Sequence, residues 1–177
     1  NTENTMLISL LLALTPDAPA TLPADLGRAA QAETLARLGQ ADPALAAALH
    51  GGNGPKPYTC SGLAPETADD AAQHPAESAR VQPGDRYYVR VTGLAGPVSR
   101  ALRATLLAQP PAAWTLHGQM FRVTDAICDP ARDAWTGQTS YEELAAVALQ
   151  RGAHLPRSVT LEFISPTAFK SRDMQMP

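Results

Sequence analysis

The sequence is poor in cysteine and in aromatic residues. Only two of its 177 residues are cysteine, Cys60 and Cys128, and neither belongs to a CxxC motif or a Cys/His cluster. A disulfide framework and a structural zinc site are therefore not expected, and the cysteine usage predicts a cytoplasmic protein. Aromatic residues make up 5% of the chain, which argues against a broad platform for stacking nucleobases.

Charge is also scarce, at 18% of the residues, and the formal net charge is −3. No global basic field therefore indicates a nucleic-acid partner. The charge is unevenly distributed, because residues 1–80 carry four Lys or Arg against nine Asp or Glu, whereas residues 81–177 carry ten against eight. Segments 80–103 and 151–172 can form local basic patches, although a solvated charged face is the more common explanation.

No apolar run approaches the roughly 18 residues that a membrane-spanning helix needs. The run Met6–Leu14 resembles the apolar part of a secretory signal, but it is short and no basic residue precedes it. A buried strand that ends at Thr15-Pro16 explains the run better. With 45% apolar residues the chain is globular, and its 177 residues can bury either one sizeable core or one core and the beginning of another.

The pattern of apolar residues predicts an α+β fold of the ferredoxin-like (βαββαβ, RRM/RAMP-type) class. After the first strand, further strands are predicted at Pro57–Leu63 and Arg86–Leu94. The segment Trp114–Ile127 is predicted to contain a fourth strand, with the strongest signal at Phe121–Ile127. Helices are predicted at Ala24–Gly39, Ala44–Leu49 (capped by Asp42, with Pro43 at its first position) and Val98–Ala108. Loops are predicted at Pro16–Pro23 and over the polar stretch Ala64–Pro83.

Another helix and strand follow this unit. Thr139 and Glu142 predict a capping box that begins a helix ending near Leu149. Val159–Ile164 predicts a fifth strand closed by Ser165-Pro166. Since one strand cannot form a domain, this strand either joins the first core or begins a second one.

The stretch His50–Ser61 carries the residues best suited to catalysis. His50 ends a predicted helix, a Gly-rich loop follows, and Lys56 precedes the second strand. Histidine can transfer protons near neutral pH and lysine can stabilise a pentacovalent phosphorane, so the pair suits phosphodiester cleavage without a metal. On the residues alone, the plainer interpretation is favoured: His50 stabilises a helix C-terminus and Lys56 is solvated.

Two segments carry a resemblance to a known family. The run Asp42–Ser61, which contains Leu-His-Gly-Gly-Asn-Gly-Pro-Lys-Pro-Tyr-Thr, resembles the N-terminal signature of the CRISPR pre-crRNA-processing endoribonucleases, the Cas six family of the RAMP superfamily. In that signature a helix ends in Leu-His, and a short loop leads to Lys-Pro-Phe/Tyr-Thr. The distant run Val159–Phe169 resembles the element that opens the family's second ferredoxin-like domain. The resemblance spans essentially the whole chain.

The resemblance implies a reaction and its catalytic residues. In this family the ribose 2′-hydroxyl of CRISPR repeat RNA attacks the adjacent phosphate, which leaves a 2′,3′-cyclic phosphate and a free 5′-hydroxyl and yields mature crRNA. His50 matches the catalytic histidine, a general acid or base, and Lys56 matches its lysine partner; no metal and no cofactor are implied. Some members add a tyrosine from the first helix, but the region near Leu35 has none. Tyr58 is a poor substitute if its strand position points it into the core.

The resemblance also implies a domain layout. Residues 6–128 would form the N-terminal RAMP domain, 129–156 a linker with a helix, and 157–177 the beginning of an incomplete second RAMP domain. The Gly-rich loop with which the family contacts RNA has no counterpart in the sequence, so we expect the chain alone to cut poorly. An apolar patch at Val159–Ile164 would favour a homodimer. Weaker candidates for RNA contact are Arg100, Arg103, Lys170 and Arg172.

Three functions remain open at this point. The chain is a metal-independent endoribonuclease, a non-catalytic subunit that holds repeat RNA, or a module that only assembles with other proteins of a CRISPR effector complex. The missing tyrosine and the missing loop are compatible with the second function. The other histidines (His74, His117 and His154) lack metal-ligand spacing, and Trp114 and Trp135 are predicted to be core or lid residues rather than stacking platforms.

Overall fold

The computed structural model describes residues 6–51, 54–66, 78–151, 158, 160, 169–171 and 174–176. The strands in these ranges are β1 (Met6–Pro16), β2 (Ala20–Pro23), β3 (Tyr58–Cys60), β4 (Ala64–Pro65), β5 (Ser78–Val81), β6 (Tyr87–Gly93), β7 (Ala113–Leu116), β8 (Gln119–Ile127), β9 (Gly137–Ser140), β10 (Phe169–Ser171) and β11 (Met174–Met176). The helices are α1 (Gly27–Ala41), α2 (Pro43–Gly51), α3 (Gly96–Leu102) and α4 (Tyr141–Arg151). A π-helical turn over Arg103–Ala108 continues α3.

The strand β1 is the centre of an antiparallel sheet with the order β3–β6–β1–β8–β7. The strand β4 also pairs with β6, and β9 pairs with β1. The strands β1, β3, β6 and β8, with α1–α2 and α3 as the two crossovers, give the predicted ferredoxin-like order. β1 can be central because it is apolar on both faces: Leu10 and Leu12 are buried in the core below the helices, and Leu11 is buried on the other face.

The helices cover one face of this sheet. The core cluster joins Leu38 of α1, Leu49 of α2 and Leu102 of α3 to the buried β-strand residues Trp114 and Phe121. Residues of β6 alternate between buried and half-buried, because Val89 and Val91 face the helices. The predicted ferredoxin-like core is thus confirmed.

Two predicted loops are wrong in detail. The loop at Pro16–Pro23 contains β2, and the surface connection at Ala64–Pro83 contains β5 and the short strand β4. β2 and β5 pair with each other, with Leu22 opposite Ala79. This pairing buries Leu22 and Val81 in the core, which neither segment could achieve alone.

The segment Trp114–Ile127 contains the predicted fourth strand, since β8 includes Phe121–Ile127, and β7 pairs with β8 in a hairpin. It turns at His117-Gly118, where both residues have positive φ angles of 49° and 80°. This backbone conformation is that of a two-residue hairpin turn, whose twist matches the flanking strands. A residue other than glycine rarely adopts a positive φ angle, so His117-Gly118 is not a recognisable turn signal.

The capping box of α4 lies one residue later than predicted. The backbone N–H of Glu143 donates to Ser140 Oγ (3.1 Å), and the backbone N–H of Ser140 donates to Glu143 Oε2 (2.9 Å). The strand β9 continues through Ser140, which lies opposite Met6 of β1, so the helix begins at Tyr141 with Ser140 as its cap. Glu143 and Ser140 therefore take the roles predicted for Glu142 and Thr139.

The C-terminal prediction lies mostly outside the described residues. Of the predicted strand Val159–Ile164 only Thr160 is described, and it is not in a strand. β10 and β11 pair with each other. The domain layout thus stays a prediction. No helix in the described ranges is long and apolar enough to cross a membrane.

Candidate active site

The helix α2 presents His50 to solvent. Asp42 caps its N-terminus, since the backbone N–H of Leu45 donates to Asp42 Oδ1 (2.9 Å), and Pro43 occupies the first position as predicted. Leu49 is 5% exposed and anchors the last turn in the core. The next residue around the helix, His50, points away from that core and is exposed. The imidazole is therefore accessible to a ligand.

Lys56 lies against the C-terminal end of this helix. Its Nζ donates to the backbone carbonyl of His50 over 3.5 Å. The last carbonyls of a helix lack helical partners, and a positive charge there is stabilising. The two residues singled out from the sequence are thus brought together, through the lysine side chain and the histidine backbone. Lys56 is half-buried, which restricts where its ammonium group can lie.

The start of β3 is fixed from two directions. The backbone N–H of Leu94 donates to the carbonyl of Pro57 (2.8 Å), the residue that follows Lys56. Tyr58 is 5% exposed, and its hydroxyl accepts a hydrogen bond from Gln31 Nε2 of α1 (3.0 Å). The orientation predicted for Tyr58 is confirmed: its hydroxyl lies under α1 and is not presented to solvent.

The thiol of Cys60 is a packing group in this region. Burial raises the pKa of Cys60 to about 11, although its hydrogen bond with Thr34 (3.4 Å) opposes that increase. A thiol with a raised pKa is a poor nucleophile. Within the described ranges, no three His, Cys, Asp or Glu side chains lie together as metal ligands would.

The weaker RNA-contact candidates are dispersed. Arg100 lies on α3 and Arg103 on the π-helical turn, both in exposed positions. Lys170 lies in β10, opposite Gln175, but its side chain is outside the described residues. Arg172, His74 and His154 are outside them as well.

The two tryptophans have different environments. Trp114 is fully buried, which confirms the prediction of a core residue. Trp135 is 70% exposed, and the guanidinium carbon of Arg90 lies 4.9 Å from its ring centroid. The sequence did not reveal this pair, because 45 residues separate its members and no motif links them.

The segment 128–136 crosses the face of the sheet that the helices leave uncovered. Arg132 forms an ion pair with Asp125 of β8, and the guanidinium group lowers the pKa of that carboxyl. The hydroxyl of Ser9 on β1 donates to the carbonyl of Trp135 (2.6 Å). These contacts attach the segment to the central strands.

Comparisons with known proteins give the following result. No protein-family model and no curated protein matches the sequence. A product complex of Cas6 (TTHB231) from Thermus thermophilus superposes with a TM-score of 0.53 and 26% identity, over 79% of this chain and 46% of that one. A product complex of a second Cas6 (TTHA0078) superposes with a TM-score of 0.61 and 22% identity, over 97% of this chain and 57% of that one. A Cas6-related protein from Pyrococcus furiosus superposes with a TM-score of 0.54 and 10% identity, over 96% of this chain and 60% of that one.

The described sheet has a ferredoxin-like fold, and the chain shares this fold with the Cas6 structures on which it superposes. These structures are of Cas6 proteins, the family that the sequence resembles. The chain spans about half the length of the solved structures it matches.

Proposed function

We propose that this protein is a metal-independent endoribonuclease that cleaves CRISPR repeat RNA at a site formed by His50 and Lys56. The observation that carries the proposal is the contact of the Lys56 ammonium with the carbonyl of His50, at the exposed end of α2. The contact places the positive charge of Lys56 beside His50, and histidine is a residue type that transfers protons in catalysis. The Cas6 product complexes among the structural neighbours support an RNA-processing role.

The reaction needs little covalent chemistry from the protein. The ribose 2′-hydroxyl is the nucleophile, so the P–O bond to the 5′-oxygen breaks as the new 2′-O–P bond forms. The products are a 2′,3′-cyclic phosphate and a free 5′-hydroxyl. His50 moves a proton, either from the attacking 2′-oxygen or to the leaving 5′-oxygen. Lys56 stabilises the negative charge that develops on the phosphorane oxygens.

The position of Lys56 suits this role. Its ammonium group is held at a helix C-terminus, and the next residue, Pro57, accepts a hydrogen bond from Leu94, which directly follows β6. A charge that is already oriented requires less reorganisation when the transition state forms. We further propose that the protein works in the cytoplasm on repeat transcripts, with other proteins of a CRISPR effector complex as partners.

One experiment tests this function and separates it from non-catalytic binding. The chain, and any longer protein that contains it, is incubated with end-labelled repeat RNA in excess EDTA. We expect cleavage to survive chelation, and His50→Ala to lower the cleavage rate about 100- to 10,000-fold while RNA affinity is retained. His117→Asn is the matched control, because His117 is also exposed and asparagine tolerates its positive φ angle.

Three outcomes would contradict the proposal. They are wild-type cleavage by His50→Ala, a chelator-sensitive activity that magnesium or manganese restores, and the absence of cleavage by the longest protein that contains the chain.

A second candidate function has one observation in its favour. The hydroxyl of Tyr58 is buried against Gln31, and the part of α1 near Leu35 carries no tyrosine, so a second proton-transfer group is not assigned. A protein with only one such group could hold repeat RNA without cutting it. In the assay above, retained binding with no cleavage in any form of the protein would identify this function.

A further inference from the structure

A cleft of about 450 Å³ opens where the segment 128–136 crosses the uncovered face of the sheet. Its floor is formed by Leu7 and Ser9 of β1 and Thr92 of β6, and one wall by Pro130 and Trp135. Its volume lies in the range of pockets that bind small ligands. The lining is mainly apolar, with hydroxyl groups at the floor.

Trp135 is exposed, but hydrogen bonds fix its backbone. Its backbone N–H donates to Asp133 Oδ1 (2.8 Å), and its carbonyl accepts the hydrogen bond from Ser9. Arg90 stacks on one side of the indole ring at 4.9 Å. Because 70% of the residue remains exposed, the ring still offers area for a second stacking partner.

Arg90 adds a charge to this aromatic surface. No carboxylate of the described residues forms an ion pair with it, in contrast to Arg86 and Arg132, which pair with Glu66 and Asp125. A partner that stacks on Trp135 and also carries negative charge would therefore satisfy both groups. An unpaired nucleotide has both properties, whereas an apolar protein segment has only the first.

The cleft lies next to the candidate active site. Leu94, which directly follows β6, lines the cleft, and its N–H donates to the carbonyl of Pro57, the residue after Lys56. Thr92 of the floor lies opposite Thr59 in the register of β3 and β6. Neighbouring strands are about 4.8 Å apart, so a strand of RNA bound in the cleft would pass close to Lys56.

We infer that this cleft binds the base of one unpaired nucleotide, stacked on Trp135, with Arg90 attracting its phosphate. The inference rests on the proposed RNA-processing function and adds to it a binding site on the opposite side of β6 from the helices. It defines the substrate as RNA that is single-stranded beside the cleavage site.

The test measures affinity for a single-stranded ten-nucleotide oligoadenylate and for a duplex of the same length. Wild-type protein should prefer the single strand, and Trp135→Ala should weaken that binding about 5- to 150-fold, the range seen when an aromatic stacking partner is removed. Trp135→Phe should retain most of the affinity. Met120→Ala is the matched control, because Met120 is another exposed apolar residue on the same sheet. Thermal unfolding verifies that each variant is folded.

The possible results lead to different conclusions. If wild type binds the single strand and Trp135→Ala binds it equally well, or if wild type prefers the duplex, the cleft inference is wrong while the His50 proposal stands. If Trp135→Ala dissociates a dimer in sedimentation and leaves RNA affinity unchanged, the surface binds protein and the inference is again wrong. If wild type binds no RNA, both proposals fail. If His50→Ala alone loses cleavage and Trp135→Ala alone loses affinity, both are supported.

Discussion

Gly93 allows α3 to approach β6 more closely than any other residue would. A Cβ atom at this position would lie 2.7 Å from Ser99 Oγ, 3.0 Å from the backbone Cα of Ser99 and 3.1 Å from Ile8 Cγ2. Gly93→Ala must therefore displace the helix, and we expect it to lower the free energy of unfolding by about 1–3 kcal/mol. Urea denaturation measures the change. Gly54→Ala, whose added Cβ meets nothing within 4 Å, is the control and should stay within about 0.5 kcal/mol; equal losses in both would contradict this account.

The thiol of Cys60 makes stability depend on pH in the alkaline range. Its pKa is raised by burial from 9.0 to about 11, so the folded chain holds this proton more tightly than the unfolded chain. The stabilisation is fully present below about pH 9 and is lost as the pH rises towards 11. Urea unfolding at pH 7 to 11 should show a smaller alkaline loss for Cys60→Ala than for wild type. Identical losses would mean that the proton on Cys60 is not linked to folding.

Contacts between residues close in the sequence can be predicted from it, whereas contacts between distant residues cannot. His50 and Lys56 are six residues apart, so a helix end followed by a short loop is enough to bring them together. Tyr58 and Gln31, like Arg90 and Trp135, meet only because the whole sheet has formed. Their side chains have no periodicity or spacing that would reveal such a pairing before the strand register is known.

At the scale of elements, α4 depends on its own capping box. Every residue described from Tyr141 to Gln150 is exposed, so tertiary packing contributes little to this helix. Replacing Glu143 by alanine removes the acceptor for Ser140 N–H and should cost about 1 kcal/mol of local stability. Amide hydrogen exchange in α4 should accelerate several-fold. Gln150→Ala, at the other end of the helix, should leave the exchange rates unchanged; equal acceleration in both would argue against the capping box.

The elements that could be predicted are those whose signals are local. β1 follows from a continuous apolar run, α2 from Asp42-Pro43 and β6 from alternation. β2 and β5 are not predictable from the sequence, because each is short and forms only by pairing with the other. The capping box differs by one residue from the prediction because Thr139 and Ser140 each stand three residues before a glutamate, and only the pairing of β9 with β1 as far as Ser140 decides where the helix begins.

At the scale of the whole molecule, the two faces of the sheet have different surroundings. His50 and Lys56 lie at the C-terminal end of α2, one of the helices that cover one face of the sheet. The cleft beside Trp135 lies on the other face. Leu94 links them, because it lines the cleft and donates a hydrogen bond to the residue after Lys56. An RNA strand bound in the cleft beside Trp135 would thus extend towards His50 and Lys56, so that the two proposed sites would contact the same substrate.

The central claim is that the RNA supplies its own nucleophile to the site at His50 and Lys56. The most direct test replaces the single ribose 2′-hydroxyl at the cleavage position of a labelled repeat RNA by hydrogen. We predict that the protein binds this RNA with unchanged affinity and does not cleave it, whereas a deoxynucleotide one position away leaves cleavage intact. Cleavage of the blocked RNA at the same position would contradict the account, because water or another nucleophile would then be attacking the phosphate.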